Sequence, residues 1–183
     1  REAIYDGIYN RETFATSGPR IKVRFFGQFG TAPGVDDYKT MVEQGYSKGV
    51  PMGGTLKAGS GMPTFTVWAS KGPRDVDGNL DRIQIIKSWV GADGEPQDQV
   101  YDVVWSGDRK PDAKGKVPAV GNTVDLKTAT FTNSIGAPEL KGTWTDAAFD
   151  ASQGAVYYVR VIQIPTPRWS TYDAIRSKLP LQG

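Results

Sequence analysis

Apolar and polar residues alternate along much of the chain, with the period of two that is typical of β-strands. The clearest alternation lies in residues 21–25, and it recurs in residues 64–69, 80–90 and 99–106. The most apolar stretch of this kind is 155–164. Gly, Pro, Asn and Asp cluster between these stretches, as they do in turns between antiparallel strands. The pattern therefore predicts a mainly β fold, an antiparallel β-sandwich.

Helical periodicity replaces the alternation at the start of the chain. In residues 1–11, Ile4 and Ile8 fall on one face and charged residues take the other. The run Thr16-Ser17-Gly18-Pro19 ends any helix, since the residue before proline is driven out of the α region. A short N-terminal helix is therefore expected to lead through a turn into the β domain.

Several shorter elements are expected further along. They comprise a helix over 36–44 capped by Asp36 or Asp37, strands over 128–132 and 139–145, and a helix through Lys178 capped by Ser170 or Thr171. The Trp144–Asp150 region indicates a loop in which Asp146 caps a helical turn. No internal repeat is visible.

Composition narrows the function classes. Of 183 residues, 38% are hydrophobic, and the 22 Gly and 12 Pro suit a fold with many turns. The formal net charge is +2, and Lys and Arg form no basic run, so the chain does not indicate a nucleic-acid surface. No apolar run approaches the roughly 20 residues of a membrane span.

The chain contains no His and no Cys. Imidazole is the usual general base near neutral pH, and imidazole and thiolate are the usual zinc ligands. The sequence therefore excludes Ser-His-Asp and Cys-His catalysis and the usual zinc sites within the chain itself. The loop from Asp75 to Asp81 resembles a calcium loop only superficially, and a polar hairpin turn is the favoured interpretation.

Two stretches carry candidate binding residues. Ser17 and Arg20 offer a hydroxyl and a guanidinium to an anion; the alternative is a domain-entry turn in which Arg20 makes an interdomain ion pair. A second group follows the last strand, in a polar segment bounded by prolines: Arg168, Trp169, Tyr172 and Asp173. These residues form either a binding edge or a contact in which Trp169 plugs the sandwich or docks on a neighbouring domain. Both stretches are expected at the same end of the sandwich.

Several motifs together resemble a known family. They are Arg1-Glu2-Ala3-Ile4-Tyr5-Asp6, Arg11-Glu12-Thr13-Phe14-Ala15-Thr16-Ser17-Gly18-Pro19-Arg20-Ile21, Gly49-Val50-Pro51-Met52-Gly53-Gly54, Leu80-Asp81-Arg82-Ile83-Gln84-Ile85, Gly121-Asn122-Thr123-Val124, Thr132-Asn133-Ser134-Ile135-Gly136-Ala137, Tyr157-Tyr158-Val159-Arg160-Val161 and Ile164-Pro165-Thr166-Pro167-Arg168-Trp169-Ser170-Thr171-Tyr172-Asp173. The chain resembles a bacterial family of unknown function that is related to PHP-type (polymerase and histidinol phosphatase) metallohydrolases. It is more distantly similar to the carbaryl-hydrolase-like relatives.

The resemblance implies a domain organisation. Residues 1–19 would be the last helix and junction of an upstream PHP-like barrel, and 20–183 the C-terminal β-sandwich. The chain, which opens at Arg1 without an initiator Met, would then be a fragment or a processed chain. Divalent metal would be held by the upstream domain, and no metal ligand or cofactor would lie in this segment. The protein would be exported, to the periplasm or outside the cell.

The resemblance also implies a function. The full-length protein would hydrolyse a phosphoester, ester or amide bond of a small-molecule substrate. This segment, not catalytic by itself, would pack on the upstream domain and contribute substrate-proximal residues, namely Ser17, Arg20, Arg168, Trp169, Tyr172 and Asp173. The alternative is a stand-alone β-sandwich module that binds a glycan or a protein through Trp169 and nearby aromatic residues.

Overall fold

A computed structural model describes residues 1–57 and 59–181. The helices and strands follow in the order α1 (Glu2–Tyr9), β1 (Lys22–Phe29), α2 (Tyr38–Lys48), β2 (Val50–Pro51), β3 (Pro63–Ser70), β4 (Leu80–Val90), β5 (Pro96–Trp105), β6 (Glu139–Thr145), β7 (Ala155–Gln163) and α3 (Trp169–Ser177). The mainly β prediction is confirmed, and most strands lie within a few residues of their predicted positions.

The strands form two antiparallel sheets that pack as a sandwich. One sheet has the order β2-β1-β3-β6 and the other the order β5-β4-β7. The apolar faces meet in a core that contains Phe25 and Val67 from the first sheet and Ile83 and Ile85 from the second. Alternation therefore places the inward residues correctly, because side chains on one strand face point the same way every second residue.

The outer face of the first sheet is covered by α2, so β1 and β3 are buried on both faces. Phe26, Met41 and Trp68 form a second apolar cluster between the helix and the sheet. Gly45 permits the close approach, since a Cβ there would lie 2.6 Å from a ring atom of Phe26. Of the two predicted caps, Asp36 and Asp37, the helix uses Asp37, whose carboxylate accepts a hydrogen bond from the Thr40 backbone N–H at 2.7 Å.

Two predicted details are wrong. Residues 128–132 form no strand and contribute only an isolated bridge between Asp125 and Thr130. The Thr123 hydroxyl donates to the Thr132 carbonyl at 2.7 Å, and such local side-chain bonds compete with a sheet ladder. At the C-terminus, α3 begins after Arg168, which makes no side-chain capping bond, and neither Ser170 nor Thr171 is the cap.

The N-terminal helix α1 stands apart from the core. None of its residues is buried, although its sequence contains large apolar side chains. Ile4 and Ile8 are 69% and 63% exposed, and the stacked rings of Tyr5 and Tyr9 are exposed as well. An apolar helix face of this kind is uncommon on the surface of a folded domain, and in the described residues it is uncovered.

Candidate functional site: a groove between the two sheets

A groove opens along one side of the sandwich, where β1 and β2 of the first sheet face β7 of the second. It has two lobes, of about 660 and about 800 Å³. The first lobe runs between residues 13–19, which connect α1 to β1, and β7. The second runs between residues 52–54, which form the turn after β2 (the β2 turn), and the start of β7. The residues common to both lobes are Arg11, Phe25, Met52, Gly53 and Tyr157.

Arg11 lies at the junction of the two lobes, where its own backbone conformation and a side-chain hydrogen bond hold it in place. Its φ is +60°, a left-handed conformation that costs an ordinary residue energy. Its Nε donates to the Gly53 carbonyl at 3.0 Å. Gly53 itself has a φ of +85°, and a Cβ there would lie 2.3 Å from the Asn10 carbonyl oxygen. The glycine is therefore required where the turn after α1 rests on the β2 turn.

Tyr157 joins the groove to a buried ion pair. Its hydroxyl donates to Asp146 Oδ2 at 2.6 Å, and Lys87 Nζ lies 2.7 Å from the same oxygen. Lys87 also donates to the Ala148 carbonyl at 2.8 Å, and the Ala148 N–H donates to Asp146 Oδ1 at 2.9 Å. Asp146 is fully buried. Both charges are thus compensated, and the phenol ring forms part of the groove wall.

The surroundings of this cluster keep its phenols protonated. Burial raises the pKa of Tyr157 well above its ordinary value. The hydrogen bond to Asp146 and the negative charge of the Asp146 carboxylate raise this pKa further. Burial also raises the pKa of Tyr101, with a further contribution from Asp146. Near neutral pH, Tyr157 is therefore a hydrogen-bond donor and cannot serve as a phenolate base.

A second polar network lies on the outer side of β4 and β5. Arg82 Nη1 contacts Asp102 Oδ2 at 3.1 Å, and Arg82 Nη2 donates to the Pro118 carbonyl at 2.8 Å. Burial acts to raise the pKa of Asp102. The Val117 N–H, Gln84 and the Arg82 charge lower it more, so the net shift is downward. The Val117 and Pro118 bonds join the 107–121 loop to the sheet, and the Arg82–Asp102 and Gln84–Asp102 contacts link β4 to β5, which gives the network a structural role.

The predicted substrate-proximal residues do not form one cluster. Ser17 is exposed and lines the first lobe, whereas exposed Arg20 does not line the groove. Arg168 precedes α3, and its neighbour Trp169 is 69% exposed.

Within α3, aromatic and charged side chains make two loose contacts. The Trp169 ring lies 6.0 Å from that of Tyr172. Asp173 makes an exposed ion pair of 3.8 Å with Arg176. Neither contact includes a residue from the first stretch.

Both stretches nevertheless extend from the same end of the sandwich. Lys22, at the start of β1, pairs with Ser70, and Gln163, at the end of β7, pairs with Leu80. Ala137 bridges Leu80, and Glu139 pairs with Ser70, which places these strand ends together. Among the described residues, no hydrogen bond or ion pair links the first stretch to the second.

The described residues contain no group of three or more acidic side chains placed to hold a metal ion. In the loop that resembles a calcium site, buried Asp77 is paired with Arg74 at 2.7 Å. Within residues 1–57 and 59–181, no helix is long and apolar enough to cross a membrane.

Fold and site define the chain as an antiparallel β-sandwich with an uncovered N-terminal helix and an apolar lateral groove. The chain belongs to a family of proteins of unknown function, DUF3604, whose model matches residues 1–182. Neither the curated proteins nor the solved structures contain a match to it. The family match carries no information about metallohydrolase chemistry.

Proposed function

We propose that this chain is the C-terminal β-sandwich of an exported, PHP-like metal-dependent hydrolase and is not catalytic by itself. The observation that supports the proposal most is the uncovered apolar face of α1, with Ile4 69% and Ile8 63% exposed. Such a face suits packing against an upstream domain of the same chain. The resemblance of the motifs in residues 1–21 to the domain junction of PHP-like proteins suggests which domain that is.

Under this proposal the upstream domain supplies a divalent metal, which activates water for attack on a phosphoester, ester or amide. The sandwich fixes the position of α1 through the Arg11–Gly53 contact. Ser17, Arg20, Arg168, Trp169, Tyr172 and Asp173 remain candidates for contact with the substrate. Tyr172 is half-buried and the other five are exposed, which suits that role because none of them belongs to the core.

The test compares the full-length protein with the 183-residue chain, using nitrophenyl esters and phosphoesters with Mn²⁺ or Zn²⁺. We expect metal-dependent hydrolysis by the full-length protein and none by the chain alone. An Ile4→Glu, Ile8→Glu variant should lower activity and stability of the full-length protein, while Asp6→Gln serves as the control on the polar side of α1. Hydrolysis by the isolated chain would contradict the proposal.

A glycan- or protein-binding module is the second candidate, supported by the exposed indole of Trp169 beside Tyr172. Sugars and protein partners both bind to such paired aromatic surfaces. A glycan array with the isolated chain tests it, with Trp169→Ala expected to abolish binding. Tyr9→Ala removes an equally exposed ring elsewhere and should leave binding unchanged.

A further inference from the structure

The groove has the dimensions and walls of a ligand site. Each lobe falls within the range of about 300–1,000 Å³ that is usual for small-molecule pockets. The lobes meet at Phe25 and Tyr157, so an elongated molecule can extend from one into the other. Aliphatic and aromatic side chains supply most of the lining, including Ile21, Val23 and Val159.

The charged side chains that line the groove, among the described residues, are all positive. Among the described residues that line the two lobes there are two arginines, Arg11 and Arg160, and no Asp or Glu. The Arg160 guanidinium reaches Gln84 Oε1 at 3.4 Å on the outer face of the sheet. Arg11 is therefore the cation that belongs to the groove itself, and an anionic group is the complementary partner.

Arg11 is also positioned in advance. Its backbone lies against Gly53, and within the described part of the chain Nε is the only nitrogen of its side chain with a hydrogen-bond partner. The two Nη groups thus remain available to an incoming oxyanion. A guanidinium whose stem is already ordered loses less conformational entropy when it binds a carboxylate.

Tyr157 contributes its ring to the groove and not its hydroxyl, because the hydroxyl is committed to Asp146 at 2.6 Å. The ring packs against Phe65 at a centroid distance of 4.4 Å, which fixes its orientation. Next to Arg11 the groove therefore offers an apolar wall.

We propose that the groove binds an organic anion with an elongated apolar body, namely a medium-chain alkyl or arylalkyl carboxylate. The carboxylate binds the Nη groups of Arg11, and the body lies along the first lobe between the 13–19 segment and β7. This site does not depend on the hydrolase role proposed above, since every residue in it belongs to the described chain.

The test is isothermal titration of the 183-residue chain with octanoate, octylammonium and 1-octanol, which share one apolar body. We expect saturable one-to-one binding of octanoate and weaker binding of the other two. Arg11→Gln should weaken octanoate binding by about tenfold or more, the value of a lost charged hydrogen bond. Octanol binding should not change, and Arg176→Gln, a control on α3, should bind octanoate normally.

A second variant separates binding from folding. Ala15 lines the first lobe but is exposed and outside the core, so Ala15→Trp fills the lobe without disturbing the sandwich. We expect it to abolish octanoate binding at an unchanged unfolding midpoint. The absence of saturable octanoate binding, or equal affinity for octanoate and octylammonium, would overturn the proposal. So would a dimer in sedimentation velocity whose formation blocks octanoate, because the groove would then belong to a second copy.

Discussion

Lys87 Nζ lies 2.7 Å from Asp146 Oδ2, and the two side chains are 5% and 1% exposed. The pair joins β4 to the loop after β6 beneath the groove. A buried ion pair is tolerated only when further hydrogen bonds offset the loss of water around both charges. Here Lys87 donates to the Ala148 carbonyl, and Asp146 accepts from the Ala148 N–H and the Tyr157 hydroxyl. Removal of either charge would therefore leave the other buried without a counter-charge.

Lys87→Met should lower the free energy of unfolding by about 3–5 kcal/mol, because it leaves the Asp146 carboxylate buried without a counter-charge. Urea unfolding followed by tryptophan fluorescence measures the change. Lys39→Met is the matched control, since Lys39 makes only an exposed pair with Glu43 and should leave stability nearly unchanged. A Lys87→Met, Asp146→Leu double variant should lose less than the two single losses added together.

Tyr157 should make the protein less stable at alkaline pH. Its pKa in the folded state lies above the ordinary value of 10.0, so its contribution is fully present below pH 10 and is lost as the pH rises further. The measurement is the free energy of unfolding between pH 8 and 11. Tyr157→Phe should flatten the decline above pH 10 and cost about 1 kcal/mol near neutral pH. An unchanged alkaline slope would contradict the assignment.

Sequence periodicity predicts most of the strands but not the groove. Lys87 follows Ile83 and Ile85 at a spacing of two, which is a signal that it faces the core, and Asp146 was predicted only as a local cap. The contact of Arg11 with Gly53 joins residues 42 positions apart. Local sequence patterns do not predict such a contact, because the contact depends on how the turn after α1 packs against the β2 turn.

The two faces of β1 also differ in how far the sequence predicts their burial. Alternation predicts one buried face, yet Phe26 is buried on the other because α2 folds back over the sheet. The Asp37 cap could be predicted from sequence, since capping depends on neighbours three residues apart. The packing of the helix on Phe26 and Trp68 is a tertiary contact, which propensity does not specify.

Asp102 should make the 107–121 loop sensitive to acid. Its pKa is lowered in the folded state, so its contribution is present above the ordinary pKa of 3.8 and is lost as the pH falls through the lower folded value. Asp102→Asn should reduce the acid dependence of stability below pH 4. Amide hydrogen exchange of residues 107–121 should increase in this variant while that of α2 stays unchanged.

Gly45 and Gly7 give opposite expectations for the same substitution, because one helix is packed and the other is not. At Gly45 a new Cβ would lie 2.6 Å from the Phe26 ring, whereas nothing lies within 4 Å at Gly7. Gly45→Ala should therefore destabilise the protein by about 1–3 kcal/mol despite the better helix propensity of alanine. Gly7→Ala should raise the helicity of α1 and leave the unfolding of the sandwich unchanged. Circular dichroism and urea unfolding of both variants measure these effects, and a stabilised Gly45→Ala protein would show that α2 does not rest on Phe26.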